Sequence, residues 1–504
     1  MAVLKSWRLL SVALLSFPSG MPLGLVWIAI PIWMASEGVD IKVVGLFSLA
    51  QAPWTFKVLW APLMDRYPLP ILGRRRGYVL VAQVALLLLG LWLAALSEHP
   101  HAWTIGLISL LVAFASATQD VAYDAYTVEV LHREEQGAAV GARVAAYRAA
   151  MWLSGRATVT AAAVVGWPVV NAVLALCYLP SALITWRAPE PETPAPAPAS
   201  LPEAVWEPFL GLLAKHRAME ILAFVVLYKL SDQLTQALVG PFLIQKGYNL
   251  FDVGVAAGTV SLFTIVAGTF VGGLLTQARG LGPALWISGF LQLFSNLGYA
   301  VVAEAGVNRS LMYAAQGFEY LCSGLGNGAF GVLLLRLTQK RFSATQYALL
   351  SSLFSLPRVI AGPPAGLLAD ALGWRDFFVF TLVTGVPGLV MLQRFAPWGV
   401  REPEFEIAAT PSGPPLERGA LVGRGVVAFV LTAAASLLTL AVVGEIKDYR
   451  AGRGFDVEPG LVALLQPRNL EGWVGLTGVL VLALVAALGT AAALAARRRP
   501  APPE

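Results

Sequence analysis

Long apolar runs alternate with short polar loops along the whole chain. A helix needs about 20 mostly apolar residues to cross the hydrocarbon core of a bilayer. Fourteen runs meet that length, and they lie at residues 9–34, 43–64, 78–97, 103–131, 138–165, 168–186, 219–244, 253–276, 284–303, 311–336, 346–369, 376–394, 421–444 and 473–495. The pattern predicts an all-α polytopic membrane protein.

The composition of the 504 residues is not that of a soluble protein. Charged residues make up 13% of the chain and hydrophobic residues 57%, whereas soluble proteins carry about 25% charged residues. The net charge of +5 does not indicate a nucleic-acid partner, because that needs clustered cations on a solvated face. Here most cations lie in short gaps between apolar runs.

The loop cations predict the orientation in the membrane. If the N-terminus is inside, the inner segments carry nineteen Lys and Arg residues. The six short outer loops then carry four, which are Lys42, Lys246, Arg309 and Arg375. Because short cytoplasmic loops are enriched in Lys and Arg, we expect both termini in the cytoplasm. The first run is long and proline-rich, so we interpret it as a retained helix rather than a signal peptide.

Two proline-rich segments divide the chain. Residues 188–218 form a Pro/Ala/Glu linker, for which we expect extended backbone over its first two thirds. Residues 397–420 form a second linker. The predicted domains are a six-helix bundle at 1–187, a second six-helix bundle at 219–396, and two additional helices with a basic tail at 421–504.

The two bundles align with each other. An offset of 207 residues matches Gly166-Trp167 with Gly373-Trp374, and an offset of 209 matches Gly38 with Gly247. Two parallel six-helix repeats are similar to the major facilitator architecture, which has its substrate site between the halves near the membrane midplane.

Charged residues inside predicted helices are candidates for function. Each costs roughly 2.5–3.5 kcal/mol at a helix centre, so such residues usually face a bundle interior or a wet cavity. The fourth and fifth runs form a hairpin that puts Asp120 level with Arg148 and Asp124 level with Arg143. Asp120, Asp124 and Thr127 share a helical face. This cluster is either a proton-coupling site or a static ion-pair network that clamps two helices.

The second bundle carries fewer such charges. Lys229 and Asp232 are three residues apart with Gln233 close by, which predicts either a polar stripe facing the first half or a self-neutralising pair. Glu319 also lies within a predicted helix. Glu129, Arg336 and Arg424 lie near helix ends, so we expect them to reach the membrane interface.

No catalytic motif is present in the sequence, so we expect neither an enzyme nor a bound cofactor or metal. The four histidines fall in loops or at helix ends, without an HExxH, GxSxG or Walker sequence. The two cysteines, Cys177 and Cys322, give no metal-ligand spacing.

Two loop segments carry a family resemblance. Ala61-Pro-Leu-Met-Asp65-Arg66 followed by Gly73-Arg-Arg-Arg-Gly77 resembles the facilitator-superfamily arginine loop. Longer stretches, Phe56-Lys-Val-Leu-Trp-Ala-Pro and Ala117-Thr-Gln-Asp-Val-Ala-Tyr-Asp-Ala-Tyr126, resemble the AmpG-type muropeptide permeases. The chain departs from that family at Thr127, where arginine is usual, and by carrying Arg156.

The resemblance implies proton-driven import of anhydromuropeptides across the inner membrane of Gram-negative bacteria. Transport of another amphiphilic anion, such as an acyl-CoA or a drug-like solute, is the alternative, and a non-transporting membrane sensor is a second alternative from another class. Expected partners are an anionic glycopeptide, protons and the lipid bilayer, without nucleic acid, and we expect a monomer.

Three groups of residues are predicted to carry this activity. The proton-coupling candidates are Asp120, Asp124 and Asp232. The substrate-binding candidates are Arg148, Lys229, Lys57, Tyr123, Tyr126, Trp27, Gln119 and Gln233. The gating motif implied by the resemblance is Asp65, Arg66, Arg74, Arg75 and Arg76.

Overall fold

The computed structural model describes residues 6–39, 47, 50, 52–192, 196–215, 217–361, 365–366, 368–369, 372–405, 416–450, 457–467 and 470–497. Lys42, His216 and the end of the basic tail therefore lie outside the described residues, as does most of the start of the second predicted run. Nine helices in the described part are long and apolar enough to cross a membrane.

In the described residues, the first half contains six helices that follow the predicted runs within a few residues, except at the start of the second run, most of which lies outside the described residues. They are α1 (Trp7–Ser36), α2 (residues 52–66), α3 (Arg76–Ala95), α4 (Ala102–Val130), α5 (residues 136–165) and α6 (Trp167–Arg187). Two of these helices are locally underwound into wider π-turns, at Leu25–Ala29 in α1 and Leu153–Ala157 in α5. Such turns are frequent at functional sites.

The linker between the halves is not extended throughout. It contains α7 (Leu201–Leu213), which corrects the expectation for this segment. The backbone N–H of Glu203 donates to Ser200 Oγ (3.3 Å), and the Glu203 carboxylate accepts from the Ala199 N–H (2.7 Å). This resembles a capping box, which nucleates a helix. The proline- and alanine-rich composition hid that signal.

The second half again contains six helices. They are α8 (residues 218–245), α9 (Leu250–Arg279), α10 (Leu281–Glu304), α11 (Arg309–Leu337), α12 (Ser343–Ile360) and α13 (Trp374–Phe395). A third π-turn lies at Ala256–Val260 in α9.

The repeat predicted from the sequence is reflected in backbone geometry. Gly166 and Gly373 have φ values of 83° and 79°, and each directly precedes a helix that begins with tryptophan. The matched pair Gly38 and Gly247 has φ values of 77° and 97°. Glycine reaches this left-handed region without the steric penalty of a Cβ, so equivalent turns recur in both halves.

Close helix packing places α1 against α5. A Cβ on Gly20 would lie 2.3 Å from the carbonyl oxygen of Tyr147, and one on Gly24 would lie 2.2 Å from that of Met151. The two glycines therefore let the backbones approach, as small residues do between membrane helices. This contact positions Ser19 of α1 beside the charged residues of α4.

The chain divides into two compact units, residues 1–208 with 219–405 and residues 209–218 with 406–504. Both halves described above lie in the first unit. The second unit contains α14 (Arg418–Arg450), α15 (Val457–Leu465) and α16 (Leu470–Arg497). α14 and α16 correspond to the last two predicted runs, whereas α15 lies in a segment that was expected to be a loop.

Candidate functional site

A buried carboxylate joins the two halves at one end of the bundle. Asp65, at the end of α2, is fully buried. It accepts hydrogen bonds from the backbone N–H of Thr345 (2.9 Å) and of Ala344 (3.3 Å), and from Thr345 Oγ1 (2.6 Å). These donors form the first turn of α12, where free N–H groups favour a negative charge.

Arg75 extends this junction. Its guanidinium donates to Asp65 Oδ1 (2.5 Å), Glu129 Oε1 (2.7 Å) and Ser343 Oγ (2.8 Å). Glu129 is 5% exposed, so it does not extend away from the protein as expected for a residue that reaches the interface, but pairs with a buried arginine. We call Asp65, Arg75, Glu129, Ser343 and Thr345 the latch, and the end of the bundle that carries it the latch end.

The other arginines of the predicted gating motif surround the latch. Arg74 donates to the Arg341 carbonyl oxygen (2.7 Å) and to the Asp65 carbonyl oxygen (3.0 Å). Burial and the neighbouring charge of Arg75 lower the pKa of Arg74 to about 10. Arg76 instead pairs with Glu190 at the start of the linker. The structure thus places Arg74 and Arg75 at the junction of the halves, whereas Arg76, the first residue of α3, contacts the linker.

Arg66 differs from the rest of the motif, because its guanidinium lies over the ring of Tyr67 at 5.2 Å from the centroid. The loop that carries the motif turns at Gly73, whose φ is 74°. A Cβ there would lie 2.5 Å from Oε1 of Glu190. A glycine at this position therefore allows both the turn and the close approach of the linker.

Four charged side chains form a second group in the first half, which we call the N-half cluster: Lys57, Asp120, Asp124 and Arg143. Arg143 Nη2 donates to Asp124 Oδ1 at 2.5 Å, and Lys57 Nζ lies 3.3 Å from Asp124 Oδ2. The hairpin geometry correctly predicted the pairing of Asp124 with Arg143. Lys57 approaches from Lys57–Leu59, a 3₁₀ turn that interrupts α2.

Asp120 and Arg148 do not pair as their depth suggested. Asp120 accepts a hydrogen bond from Ser19 Oγ, and Ser19 was not identified from the sequence. Within the described ranges, no carboxylate oxygen lies within 4.0 Å of the half-buried Arg148. Thr127 does not join the cluster either, because its hydroxyl donates to the Tyr123 carbonyl oxygen one turn earlier (2.9 Å).

Arg143 also contacts the second half. Its guanidinium carbon lies 5.2 Å from the ring centroid of Tyr123 and 5.7 Å from that of Tyr347 in α12. Its Nη1 atom is buried and has no hydrogen-bond partner in the part of the chain that the structure describes. The N-half cluster therefore lies at the interface of the halves.

A separate group lies inside the second half, and we call Lys229, Asp232 and Glu319 the C-half cluster. α8 is interrupted just before Leu230, where Lys229 follows the first helical segment. Lys229 is 1% exposed and donates to Asp232 Oδ2 (3.0 Å) and Gln292 Oε1 (2.5 Å). Gln292 lies on α10, so Lys229 makes these hydrogen bonds within its own half and does not face the first half.

Glu319 was noted in the sequence but was given no role. It is fully buried on α11, and Gln236 Nε2 donates to its Oε1 at 2.9 Å. Its Oε2 atom is buried and unpartnered among the described residues. The cluster therefore holds two carboxylates and one lysine, and the lysine contacts Asp232 rather than Glu319.

The tyrosines proposed for substrate contact have their hydroxyls engaged elsewhere. Tyr123 donates to the Val12 carbonyl oxygen (2.6 Å), and Tyr126 donates to the Pro189 carbonyl oxygen (3.0 Å). Both side chains are almost fully buried. Their placement favours helix and linker packing over contact with a ligand.

The remaining candidates are available for polar contact. Both amide atoms of the fully buried Gln119 lack partners within the described ranges, and Gln233 is half-buried. The ring of Trp27 packs edge-on against Trp54, with centroids 6.0 Å apart.

Two repeated six-helix halves, joined by a latch and enclosing charged clusters, define a multi-pass membrane transporter. The model of the Major Facilitator Superfamily matches residues 12–345. An anhydromuropeptide permease of Escherichia coli (strain K12) is 39% identical over 381 residues, which cover 75% of this chain and 78% of that protein.

More distant relatives match a similar share of the chain. An uncharacterized protein of Haemophilus influenzae is 31% identical over 77% of this chain and 95% of its own length. A putative transporter, AmpG 4, of Rickettsia conorii is 28% identical over 77% of this chain and 97% of its own length. The chain belongs to the major facilitator superfamily as a permease of the AmpG type, and it is not an enzyme.

Proposed function

We propose that the protein imports anhydromuropeptides across the bacterial inner membrane by proton symport. The observation that carries the proposal is the N-half cluster, in which Asp124 holds two cations at the interface of the halves. The similarity to the anhydromuropeptide permease of E. coli supports the substrate class.

The cluster suggests how a proton is coupled to movement. Protonation of Asp124 would remove its attraction for Lys57 and Arg143. Arg143 would then be freer to leave Tyr347 of the second half, to which it lies close. Asp120 is the second proton-coupling candidate in this cluster, and Asp232 is the proton-coupling candidate in the other half. Proton binding thus changes a contact that depends on the arrangement of the halves.

The latch indicates which side of the membrane is closed in this conformation. The excess of Lys and Arg in the loops supports placing both termini and the latch end in the cytoplasm. With the latch formed, the halves are joined on the cytoplasmic side, so this conformation receives substrate from the opposite side. Arg148 binds a peptide carboxylate of the substrate, because a guanidinium offers two parallel hydrogen bonds.

The direct test is uptake in energised vesicles. A labelled disaccharide–peptide fragment should accumulate in vesicles that contain the protein, and a protonophore should abolish accumulation while leaving exchange between the two sides. Uptake of another amphiphilic anion without uptake of the fragment would support the alternative substrate class. Uptake of the fragment that is insensitive to the protonophore would contradict the coupling.

Topology needs its own experiment. An alkaline-phosphatase fusion within residues 445–472 should be active, because this segment is expected outside, whereas a fusion at the C-terminus should be silent. The reverse pattern would contradict the proposed orientation.

A further inference from the structure

Two arginines outside the N-half cluster contact the opposite half of the molecule. The guanidinium of Arg156 in α5 lies against Gly258 of α9, where a Cβ would be 2.1 Å from Nη1. The guanidinium carbon of Arg358 in α12 lies 5.4 Å from the ring centroid of Trp27 in α1. Each arginine thus reaches from one half to the other.

Both side chains remain open to solvent at this interface. Arg156 and Arg358 are exposed, and Arg148 is half-buried. Accessible groups that contact both halves indicate a cleft between the halves at this level. A Cβ on Gly155, the neighbour of Arg156, would lie 3.0 Å from Cδ1 of Ile28, the neighbour of Trp27. Arg148 lies about two helical turns before Arg156 on the same helix, so the three cations share one region.

These charges are not compensated by the protein. In the ranges that the structure describes, none of the three guanidinium groups has a carboxylate oxygen within 4.0 Å. The N-half and C-half clusters differ in this respect, because Asp124 and Asp232 each have a cationic partner. An unpaired cation is costly to enclose within a membrane protein.

A second observation marks the same place. Arg156 lies in the π-turn Leu153–Ala157, and its contact Gly258 lies in the π-turn Ala256–Val260. Trp27, the contact of Arg358, lies in the remaining π-turn, Leu25–Ala29. The indole N–H of Trp27 is buried without a partner in the described part of the chain. π-turns are frequent at functional sites, and here all three adjoin the arginines.

We propose that Arg156 and Arg358, together with Arg148, form an anion-binding site that spans both halves and selects substrates with two or more carboxylates. The inference rests on the proposed function, since it specifies the substrate class of the same transporter. When the cleft closes around its cargo, the anionic groups of the cargo neutralise the three cations. A cargo with a single carboxylate leaves cations uncompensated and is disfavoured.

Trp27 suits the remainder of such a cargo. Its ring carries a guanidinium on its face, a favourable cation–π arrangement. Its indole N–H, which has no partner among the described residues, can donate to a sugar hydroxyl or a carbonyl oxygen. Gly258 has no side chain, so the Arg156 guanidinium can lie directly against the α9 backbone. Gly258→Ala should displace the Arg156 guanidinium without removing its charge.

The first experiment uses three fragments with the same disaccharide, bearing no peptide, a peptide with one carboxylate, or a peptide with three. Binding is measured on the purified full-length protein, and uptake in vesicles. We expect at least tenfold tighter binding of the three-carboxylate fragment by the wild-type protein. Arg156→Gln and Arg358→Gln should each remove most of that preference, and the lysine variants should restore part of it.

The matched control is Arg424→Gln, which removes an exposed arginine of α14 in the second unit and should leave the preference unchanged. Melting temperature and size-exclusion profile establish that each variant is folded. Normal uptake with an unchanged carboxylate preference in Arg156→Gln and Arg358→Gln would overturn the anion site while leaving the proposed function intact.

A second experiment separates the two proposals. Simple mono-, di- and tricarboxylates are tested for their effect on the melting temperature of the purified protein. If no sugar fragment binds, but stabilisation rises with carboxylate number and is lost in both glutamine variants, the anion site stands and the muropeptide assignment fails. If neither fragments nor polycarboxylates affect the wild-type protein, the anion site is also wrong.

Discussion

The N-half and C-half clusters use similar residues in different surroundings. In the N-half cluster the side chains of Lys57, Asp124 and Arg143 are 11%, 8% and 17% exposed. In the C-half cluster the side chains of Lys229 and Asp232 are both 2% exposed. Two cations face two carboxylates in the first cluster, whereas one cation faces two carboxylates in the second.

Their contacts differ as well. Arg143 of the first cluster reaches Tyr347 across the interface, whereas the contacts of Lys229 with Gln292 and Ser323 all lie within the second half. A cluster at the interface changes when the halves move, and a cluster within one half does not. We infer that the first responds to the transport cycle and the second holds its half together.

The largest effect should follow loss of the C-half lysine. Lys229→Met leaves Asp232 buried and unpaired, and breaking a buried pair in this way costs roughly 3–5 kcal/mol. We expect little monodisperse protein and a strongly lowered melting temperature. The double variant Lys229→Met with Asp232→Leu should recover much of the stability, because no isolated charge remains. A stable single variant would show that this cluster is not structural.

Removing the central carboxylate of the N-half cluster should affect transport more than folding. Asp124→Asn keeps the shape of the side chain but cannot gain and release a proton. We expect proton-driven accumulation to fall at least tenfold, about 1.4 kcal/mol, with normal expression. Exchange that needs no energy should persist, and Asp120→Asn should behave similarly.

The control for this prediction is the matched change Asp232→Asn. If the comparison between the clusters holds, Asp232→Asn lowers the melting temperature and Asp124→Asn lowers accumulation. Wild-type accumulation by Asp124→Asn at normal expression would remove this carboxylate from the mechanism.

Much of this architecture could be predicted from the sequence, because apolar runs directly reflect the length of a membrane helix. The pairing of Asp124 with Arg143 followed from hairpin geometry, which is local. The partners Ser19 and Tyr347 could not be predicted in the same way, since they come from distant helices whose packing the sequence pattern does not specify. The capping residues of α7, Ser200 and Glu203, are present in the sequence, but the proline- and alanine-rich composition of the segment favoured the prediction of extended backbone.

Weakening the latch should have a smaller effect, and it tests whether the clusters respond differently to movement. Thr345→Val removes one hydrogen bond to Asp65 while keeping the size of the side chain. A hydrogen bond to a charged group contributes about 1.5–3 kcal/mol. The loss should be smaller here, because the two backbone N–H groups still donate to Asp65. We expect the closed conformation to be several-fold less populated.

Single cysteines introduced beside Tyr347 and beside Gln292 would report this change through the rate of labelling by a water-soluble thiol reagent. Labelling beside Tyr347 should accelerate, whereas labelling beside Gln292 should not, because the latter contact lies within one half. Equal acceleration at both positions would contradict the distinction between the clusters.

The smallest effect is expected at Glu319. Lys229 neutralises Asp232, so the remaining carboxyl, fully buried with one donor, is best accommodated as a neutral acid. Glu319→Gln preserves a neutral polar side chain that can still accept from Gln236, so it should change the free energy of unfolding by no more than about 1 kcal/mol, the net contribution of one hydrogen bond. Glu319→Ala should cost more, because it leaves a cavity and an unpaired Gln236 amide. Unfolding of the purified variants in detergent measures both. A large loss of stability in Glu319→Gln would mean that Glu319 is ionised and shares Lys229 with Asp232, and the C-half cluster would then depend on proton balance as the N-half cluster does.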